Sequence, residues 1–332
     1  MTLSADEGTL YVANADKQII QSVNLSTYAV TAYAGGAGIA GTTAGTGTAA
    51  RFNEPFSTVN VSGNLYVADT YNQGIRKIDG SQAVTTFAGT LGTVGATDAT
   101  GTSALFNYPK GITAVGTDLY VADTSNYLIR KITSGGMVSA VAGTSGQSGY
   151  VDGSGAGVKF GAPFGVAANA TYLFVSDSAN NSIRSVLLAA PNTVATVAGS
   201  LSATAGSTDS TGTTARFSTP AGIVSDTANS RLYVADQGNH TIRMIDVSAS
   251  PATVTTIAGA AGVYGSTDGN TGTNNGATAR FNTPTGLALN AAGTILYVSD
   301  QYYTKVRKIV LPASPTAPTS FNVTVTTLTA TF

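Results

Sequence analysis

Short runs in which apolar and polar positions alternate recur along the whole chain, and one of them returns almost unchanged. Leu-Tyr-Val-Ala-Asp stands at 65–69, 119–123 and 232–236, Leu-Phe-Val-Ser-Asp at 173–177, Leu-Tyr-Val-Ser-Asp at 296–300 and Leu-Tyr-Val-Ala-Asn at 10–14. Between the closing residues Asn14, Asp69, Asp123, Asp177, Asp236 and Asp300 the steps are 55, 54, 54, 59 and 64 residues, a constant period with additions late in the chain. Alternation with period 2 marks a strand with one face buried, and each repeat holds four such segments. In the third repeat they are 111–114 after Pro109 (strand a), 118–122 (b), 127–132 (c) and 137–142 (d), and a Gly-rich connection over 143–160 leads to Pro163. Gly or Thr interrupts every candidate for an apolar stripe with helical spacing. The pattern predicts an all-β chain.

Four-stranded units repeated in tandem cover one another's apolar faces, which is the logic of a propeller; a linear β-solenoid has shorter coils and no four-strand meander. Six copies predict a single six-bladed β-propeller over 1–332, with units at about 1–36, 50–90, 104–144, 158–200, 215–259 and 279–332. Pro-x-Gly-Ile/Leu/Val, Leu-Tyr-Val-Ala-Asp with a following Asn, Ile-Arg-Lys-Ile and Val-Thr-Thr-Ile-Ala-Gly succeed one another most completely from Pro109 to Gly143 and from Pro220 to Gly259. This combination resembles the NHL repeat, and the resemblance covers essentially the whole chain. It implies four-stranded antiparallel blades but no single activity, because NHL propellers include protein-binding and RNA-binding modules, amidating lyases and bacterial cell-surface proteins.

The two ends pose a question of topology. The Phe-Asn-x-Pro-x-Gly lead seen at 281–286 is missing before the first repeat, so Met1 is expected inside strand a of the first unit. Near the other end, 312–320 reads as a Pro-rich connection, and Val325-Thr326-Thr327-Leu328 matches Val254-Thr255-Thr256-Ile257 as strand d of the last blade. The rival is a linker into a fibronectin-type-III-like strand near Ala317; pairing of 325–328 with 303–309 separates the two.

Composition narrows the chemistry. Charged residues are 10% of the chain, and Lys+Arg 16 against Asp+Glu 17 leave a net charge of -1, where an ordinary soluble domain carries roughly 25% charged residues. A nucleic-acid partner held by phosphate neutralisation is not expected. The absence of Cys and the single His240 exclude thiolate catalysis, disulfides and multi-histidine metal sites, and no cofactor or metal is expected. With 39 Gly and abundant Thr, Ser and Asn, the surface is wet with hydroxyls and amides, a style that suits an extracellular or cell-surface location. The first residues have no signal-peptide pattern, and no apolar run is long enough to span a membrane as a helix. The sequons at Asn24, Asn239 and Asn322 suit secretion.

Two sets of charges recur. Asp69/Arg76, Asp123/Arg130, Asp177/Arg184, Asp236/Arg243 and Asp300/Arg307 lie seven apart, a carboxylate closing strand b and a guanidinium in strand c. In the first unit both members change together, to Asn14 and Gln21. A lone buried charge would be costly, so joint loss points to a structural pair that clamps the blades. Asp98, Asp152, Asp209 and Asp268 recur in the Gly-rich connections, where the first connection has Ala44. Each is expected to staple its own loop; calcium, which wants roughly six to eight oxygens, is the alternative.

Strand parity puts the b–c turns and the connections between units on one side of the blades. Tyr71, Tyr127, His240, Tyr302 and Tyr303 occupy those turns, and this is the expected ligand face, for protein or carbohydrate. Catalytic residues are not expected: the inner strands are nearly free of acids apart from Asp226, and the only two Glu, Glu7 and Glu54, fall in different units. The leading expectation is a non-catalytic secreted or cell-surface binding or scaffold propeller. The alternative is a metal-dependent lyase or lactonase-like propeller with an atypical site. Unpaired strand edges template further pairing, so the strand at 322–332 raises two readings: closure within its own chain, or donation to a neighbouring copy in a homo-oligomer or fibre.

Overall fold

The computed structural model describes residues 1–228, 230–269, 275–312 and 323–328. Six antiparallel sheets follow one another in the order of the repeats. Blade 1 consists of Thr2–Leu3, Thr9–Asn14, Ile19–Asn24 and Val30–Ala34; blade 2 of Pro55–Val61, Asn64–Asp69, Gly74–Ile78 and Ala83–Ala88; blade 3 of Pro109–Val115, Asp118–Asp123, Leu128–Ile132 and Val138–Ala142. Blade 4 has Pro163–Ala168, Tyr172–Asp177, Ser182–Leu187 and Val194–Gly199; blade 5 has Pro220–Asp226, Arg231–Asp236, Thr241–Asp246 and Thr253–Gly259; blade 6 has Pro284–Leu289, Ile295–Asp300, Lys305–Val310 and Thr324–Thr327. The chain is a six-bladed β-propeller of four-stranded blades. By compactness it divides into two units, Met1–Leu173 with Val186–Val194, and Phe174–Ser185 with Ala195–Phe332.

Within each unit the core lies between successive blades. In the first, Ile20 and Ala34 of blade 1 meet Phe52, Val67 and Ile78, while Ala68 and Ile75 of blade 2 meet Phe106, Val121 and Ile132. In the second, Tyr233, Ile242 and Met244 of blade 5 pack on Phe281, Leu296 and Val298 of the next. The glycine of Pro-x-Gly lets neighbouring inner strands approach closely. A Cβ at Gly111 would strike the Phe164 carbonyl, and one at Gly222 the Thr285 carbonyl.

The last strand pairs as strand d of blade 6, with Val325 opposite Ile309 and Thr324 opposite Val310, and Leu328 N–H donates to the Val306 carbonyl. The fibronectin-type-III reading therefore falls, and residues 323–328 are engaged within their own chain. Residues 313–320 of the Pro-rich connection, Asn322 and 329–332 lie outside the described residues.

Each connection does something that its composition did not announce. It runs along the outer strand of the blade that follows, making a bridge to it: Gly45 with Val84, Thr100 with Met137, Gly153 with Val194, Thr211 with Thr253 and Gly269 with Val325. Outer edges of a sheet invite pairing with other chains, and these bridges cover them, including the edge of the strand that a fibre would extend.

The arginine of strand c holds the connection in place. Arg130 Nη1 donates to Asp123 Oδ2 (2.9 Å) and the Leu105 carbonyl (3.1 Å), and Nη2 donates to Asp98 Oδ1 (2.6 Å) and the Thr97 carbonyl (3.1 Å). Its guanidinium lies 5.2 Å from the Phe106 ring centroid. Arg243 and Arg307 repeat the set with Asp236 and Asp209, and with Asp300 and Asp268. Arg184 pairs with Asp177 at 3.1 Å. Asp98 thus does not staple its own loop, as the Asx-turn reading held. Its second oxygen accepts the Ala140 N–H, so it ties the connection to strands c and d of blade 3. Arg76 pairs with Asp69 at 3.2 Å and takes the Thr43 carbonyl, as Arg130 takes that of Thr97, but has no second carboxylate among the described residues, because Ala44 stands in the place of Asp98. In blade 1 the amide of Asn14 donates to Gln21 Oε1 (2.8 Å), an uncharged version of the clamp.

Two outcomes test the clamp. Arg130→Ala leaves Asp123 buried without its counter-charge and is expected to cost about 3–5 kcal/mol, a large share of a typical total of about 5–15 kcal/mol, read as a fall in the urea midpoint. Ala44→Asp supplies Arg76 with its missing second carboxylate. Since the equivalent Asp98 side chain is 49% exposed, the expected gain is at most about 1 kcal/mol; a loss of stability would refute the equivalence.

Candidate functional site

The turn after each strand b has one construction. Asp69 accepts from Asn72 Nδ2 (2.8 Å) and the Asn53 N–H (2.8 Å), and Asp123, Asp236 and Asp300 accept equivalent backbone N–H groups from Asn107, Ser218 and Asn282. A short 3-10 turn follows and ends on a left-handed residue: Gln73 (φ 58°), Tyr127 (60°), Asn181 (51°), His240 (58°) and Thr304 (50°).

Three of these residues, together with Gln18 of blade 1 (φ 61°), reach across to the next blade. Gln18 Oε1 accepts the Glu54 N–H (2.6 Å), Gln73 Oε1 the Tyr108 N–H (2.6 Å), Asn181 Oδ1 the Thr219 N–H (2.7 Å) and His240 Nδ1 the Thr283 N–H (3.1 Å). The four recipients have φ of 49°, 51°, 46° and 56° and each directly precedes a proline. That conformation costs a side-chain-bearing residue about 1–3 kcal/mol and persists only where its surroundings enforce it. The interblade bond is one enforcer, and the following inner strand is another. The set is marked in the sequence by an acceptor-bearing side chain four residues after the residue that closes strand b: Gln18, Gln73, Asn181 and His240.

The expected ligand-face residues fall into separate groups. Tyr71 is 45% exposed and packs edge-to-face on Tyr108, with centroids 4.9 Å apart. Tyr302 is 71% exposed and lies 5.5 Å from Tyr303. The His240 ring sits 5.9 Å from Tyr264, and Tyr127 is half-buried. The structure does not bring Tyr71, His240 and Tyr302 into one cluster among the contacts of either unit. It does bring together residues that the sequence did not single out, each directly after the proline of its repeat's lead. Lys110 Nζ lies 4.6 Å from the Phe164 ring centroid and 5.6 Å from that of Phe56, and the two rings meet edge-to-face at 4.9 Å. Burial lowers the Lys110 ammonium from its usual range, against the pull of Glu54. Lys110, Glu54, Phe56, Tyr71, Tyr108 and Ser125 line a cavity of about 300 Å³.

Two sequence-stated features change meaning. The Asn239 amide is buried and donates to Asp236 and to the Gly206 carbonyl, so this sequon is consumed by the turn. His240 is an acceptor at Nδ1, hence neutral with its proton on Nε2, and burial holds it below its usual range.

That neutral imidazole sets a pH effect. A base whose folded-state pKa is lowered stabilises the fold above its unfolded value near 6.5, and the contribution fades as pH falls below it. The buried Asp69, Asp123, Asp236 and Asp300 act in the opposite sense, because burial pushes each carboxyl up to about 6 against its hydrogen bonds and arginine, so the fold takes up their protons first. The difference between wild type and His240→Gln isolates the histidine. Glutamine is the residue at the equivalent Gln18 and Gln73, and the variant is expected to gain on wild type in urea stability as pH drops from about 7 to 5; parallel curves would refute the acceptor role.

No model of a known protein family matches the chain. Among curated proteins it is similar to the human (Homo sapiens) NHL repeat-containing protein 2, 29% identical over 284 residues that cover 75% of this chain and 38% of that protein. The Gallus gallus protein of the same description is 28% identical over 284 residues, covering 76% and 38%. The chain thus spans well under half the length of these relatives. Among solved structures, it resembles an auxiliary nutrient binding protein from Bacteroides thetaiotaomicron with a TM-score of 0.67, 14% identity, and coverage of 92% of this chain and 67% of that one. It also resembles the virginiamycin B lyase from Staphylococcus aureus, with a TM-score of 0.55, 13% identity, and coverage of 97% and 83%. Likeness at this identity shows the propeller fold alone, whereas the curated relatives share the repeat itself. The chain is a six-bladed β-propeller whose sequence is similar to that of NHL repeat-containing proteins.

Proposed function

We propose that the chain is a non-catalytic binding module, secreted or displayed at a cell surface, which meets its partner through the face carrying the b–c turns. One observation carries the reading: large aromatic rings stand exposed there, Tyr71 at 45% and Tyr302 at 71%, on turns held by buried hydrogen bonds. Tyr supplies broad, amphipathic contact area at small entropic cost, which is why it is enriched where proteins bind. A rigid turn under such a ring loses little freedom on binding. The sparse charge of the surface, 10% of residues, favours a partner recognised by shape and hydrogen bonds over one drawn in by long-range attraction. The nutrient-binding neighbour's fold is compatible with a binding role.

The test is a glycan array and a pull-down with the full chain, each repeated with Tyr71→Ala and Tyr302→Ala. Loss of captured partner by about tenfold or more in at least one variant, at unchanged melting temperature, is expected, as for truncation of an anchor residue. Undiminished capture by both variants would overturn the proposal, and so would EDTA-sensitive cleavage of quinupristin or of a lactone by the wild-type chain.

A further inference from the structure

We propose that the cavity between the inner strands of blades 2 and 3 is a binding site for one uncharged sugar ring. The inference rests on the binding-module reading and assigns it a ligand class. Three features of the cavity carry it.

The first is a complementary pair of charges without hydrogen-bond partners. Lys110 Nζ is flanked by the Phe56 and Phe164 rings, and Glu54 influences it electrostatically without closing an ion pair. Among the described residues neither side chain makes a hydrogen bond or salt bridge, although both line the same cavity. Half-buried charged groups gain when a ligand supplies the partners that water supplies poorly in a confined space. A carboxylate needs donors and an ammonium needs acceptors, and a hydroxyl is both. Two neighbouring ring hydroxyls satisfy the two groups together. An anionic ligand would suit Lys110 and be repelled by Glu54, and a cation would meet the reverse.

The second feature is the wall. The Tyr71 and Tyr108 pair and the Phe56 ring present aromatic surface next to the charges, which suits the C–H face of a pyranose as the charges suit its hydroxyl rim. The volume of about 300 Å³ is at the small end of ligand sites and fits one ring rather than a peptide segment.

The third is preorganisation. Glu54 and Tyr108 are the strained left-handed residues of blades 2 and 3, each fixed by an interblade hydrogen bond that its backbone N–H donates to Gln18 or Gln73 Oε1. Two of the cavity's contact residues are thereby held by backbone strain that the fold enforces, and strain of this kind gathers at ligand clamps.

Saturation-transfer NMR with the full chain tests the site. The probes are methyl β-glucopyranoside, methyl β-galactopyranoside and methyl α-mannopyranoside as neutral rings, and methyl glucuronide as the charged one. At least one neutral glycoside is expected to bind, and Lys110→Met and Tyr71→Ala are each expected to weaken it tenfold or more. Glu54→Gln is expected to raise the relative affinity for the glucuronide by removing the repelling charge. A melting curve for each variant separates lost contact from lost fold, and Tyr71→Ala, at a ring 45% exposed that packs edge-to-face on Tyr108, is the variant that disturbs packing least. Binding of the glucuronide alone, or neutral binding unchanged in both Lys110→Met and Tyr71→Ala, would overturn the inference. So would binding of no glycoside; the broader reading would then stand or fall on the Tyr302→Ala capture result alone.

Discussion

Five buried guanidiniums organise this chain. Each sits in strand c with no exposed side-chain surface and faces a fully buried aspartate, and Arg76, Arg130, Arg243 and Arg307 also lie close to the phenylalanine of their own repeat's lead and grip carbonyls of the connection that arrives from the previous blade. Arginine suits this because its five donors radiate in one plane and it keeps its charge when buried. A hydrophobic residue in its place could fill the volume but could not hold an irregular, glycine-rich segment whose carbonyls need donors. The blades are made by alternation of apolar residues, whereas the segments between them are folded by polar contacts converging on a single cation.

This division explains what could be read from the chain and what could not. Strands are a local matter: Leu-Tyr-Val-Ala-Asp alternates, and the structure has strand b at Asn64–Asp69, Asp118–Asp123 and Arg231–Asp236. Strand c starts at Leu128 because Tyr127 takes up a left-handed conformation, which a tyrosine does not advertise. The seven-residue spacing of Asp and Arg was legible because both partners lie on adjacent strands of one hairpin. Asp98 was misread because its partner Arg130 is 32 residues away, and nothing local says that a glycine-rich connection doubles back along the edge of the next blade.

The candidate site was harder to see for a related reason. Lys110, Phe56 and Phe164 each follow the proline of their lead, and the close approach of inner strands at Gly111 and Gly165 brings Lys110 and Phe164 together. In sequence they are 54 residues apart, a full period, and no alternation or spacing rule links them. Aligned in columns, the five leads keep their Phe and Pro, whereas the places on either side of the proline vary: Glu54, Tyr108, Ala162, Thr219 and Thr283 before it, and Phe56, Lys110, Phe164, Ala221 and Thr285 after it.

The two-point grip of Arg76, Arg130, Arg243 and Arg307 also governs where the chain tolerates growth. Arg130 takes the carbonyls of Thr97 and Leu105, eight residues apart, while Arg307 takes those of Thr267 and Arg280, thirteen apart. The anchors coincide although the segment between them is longer, so added residues are accommodated without moving either end. Closing a longer loop between fixed points costs only a logarithmic increment of chain entropy. Each connection is therefore a pinned insertion point, a place where a lineage can lengthen, decorate or replace surface material while the blade beneath keeps its register.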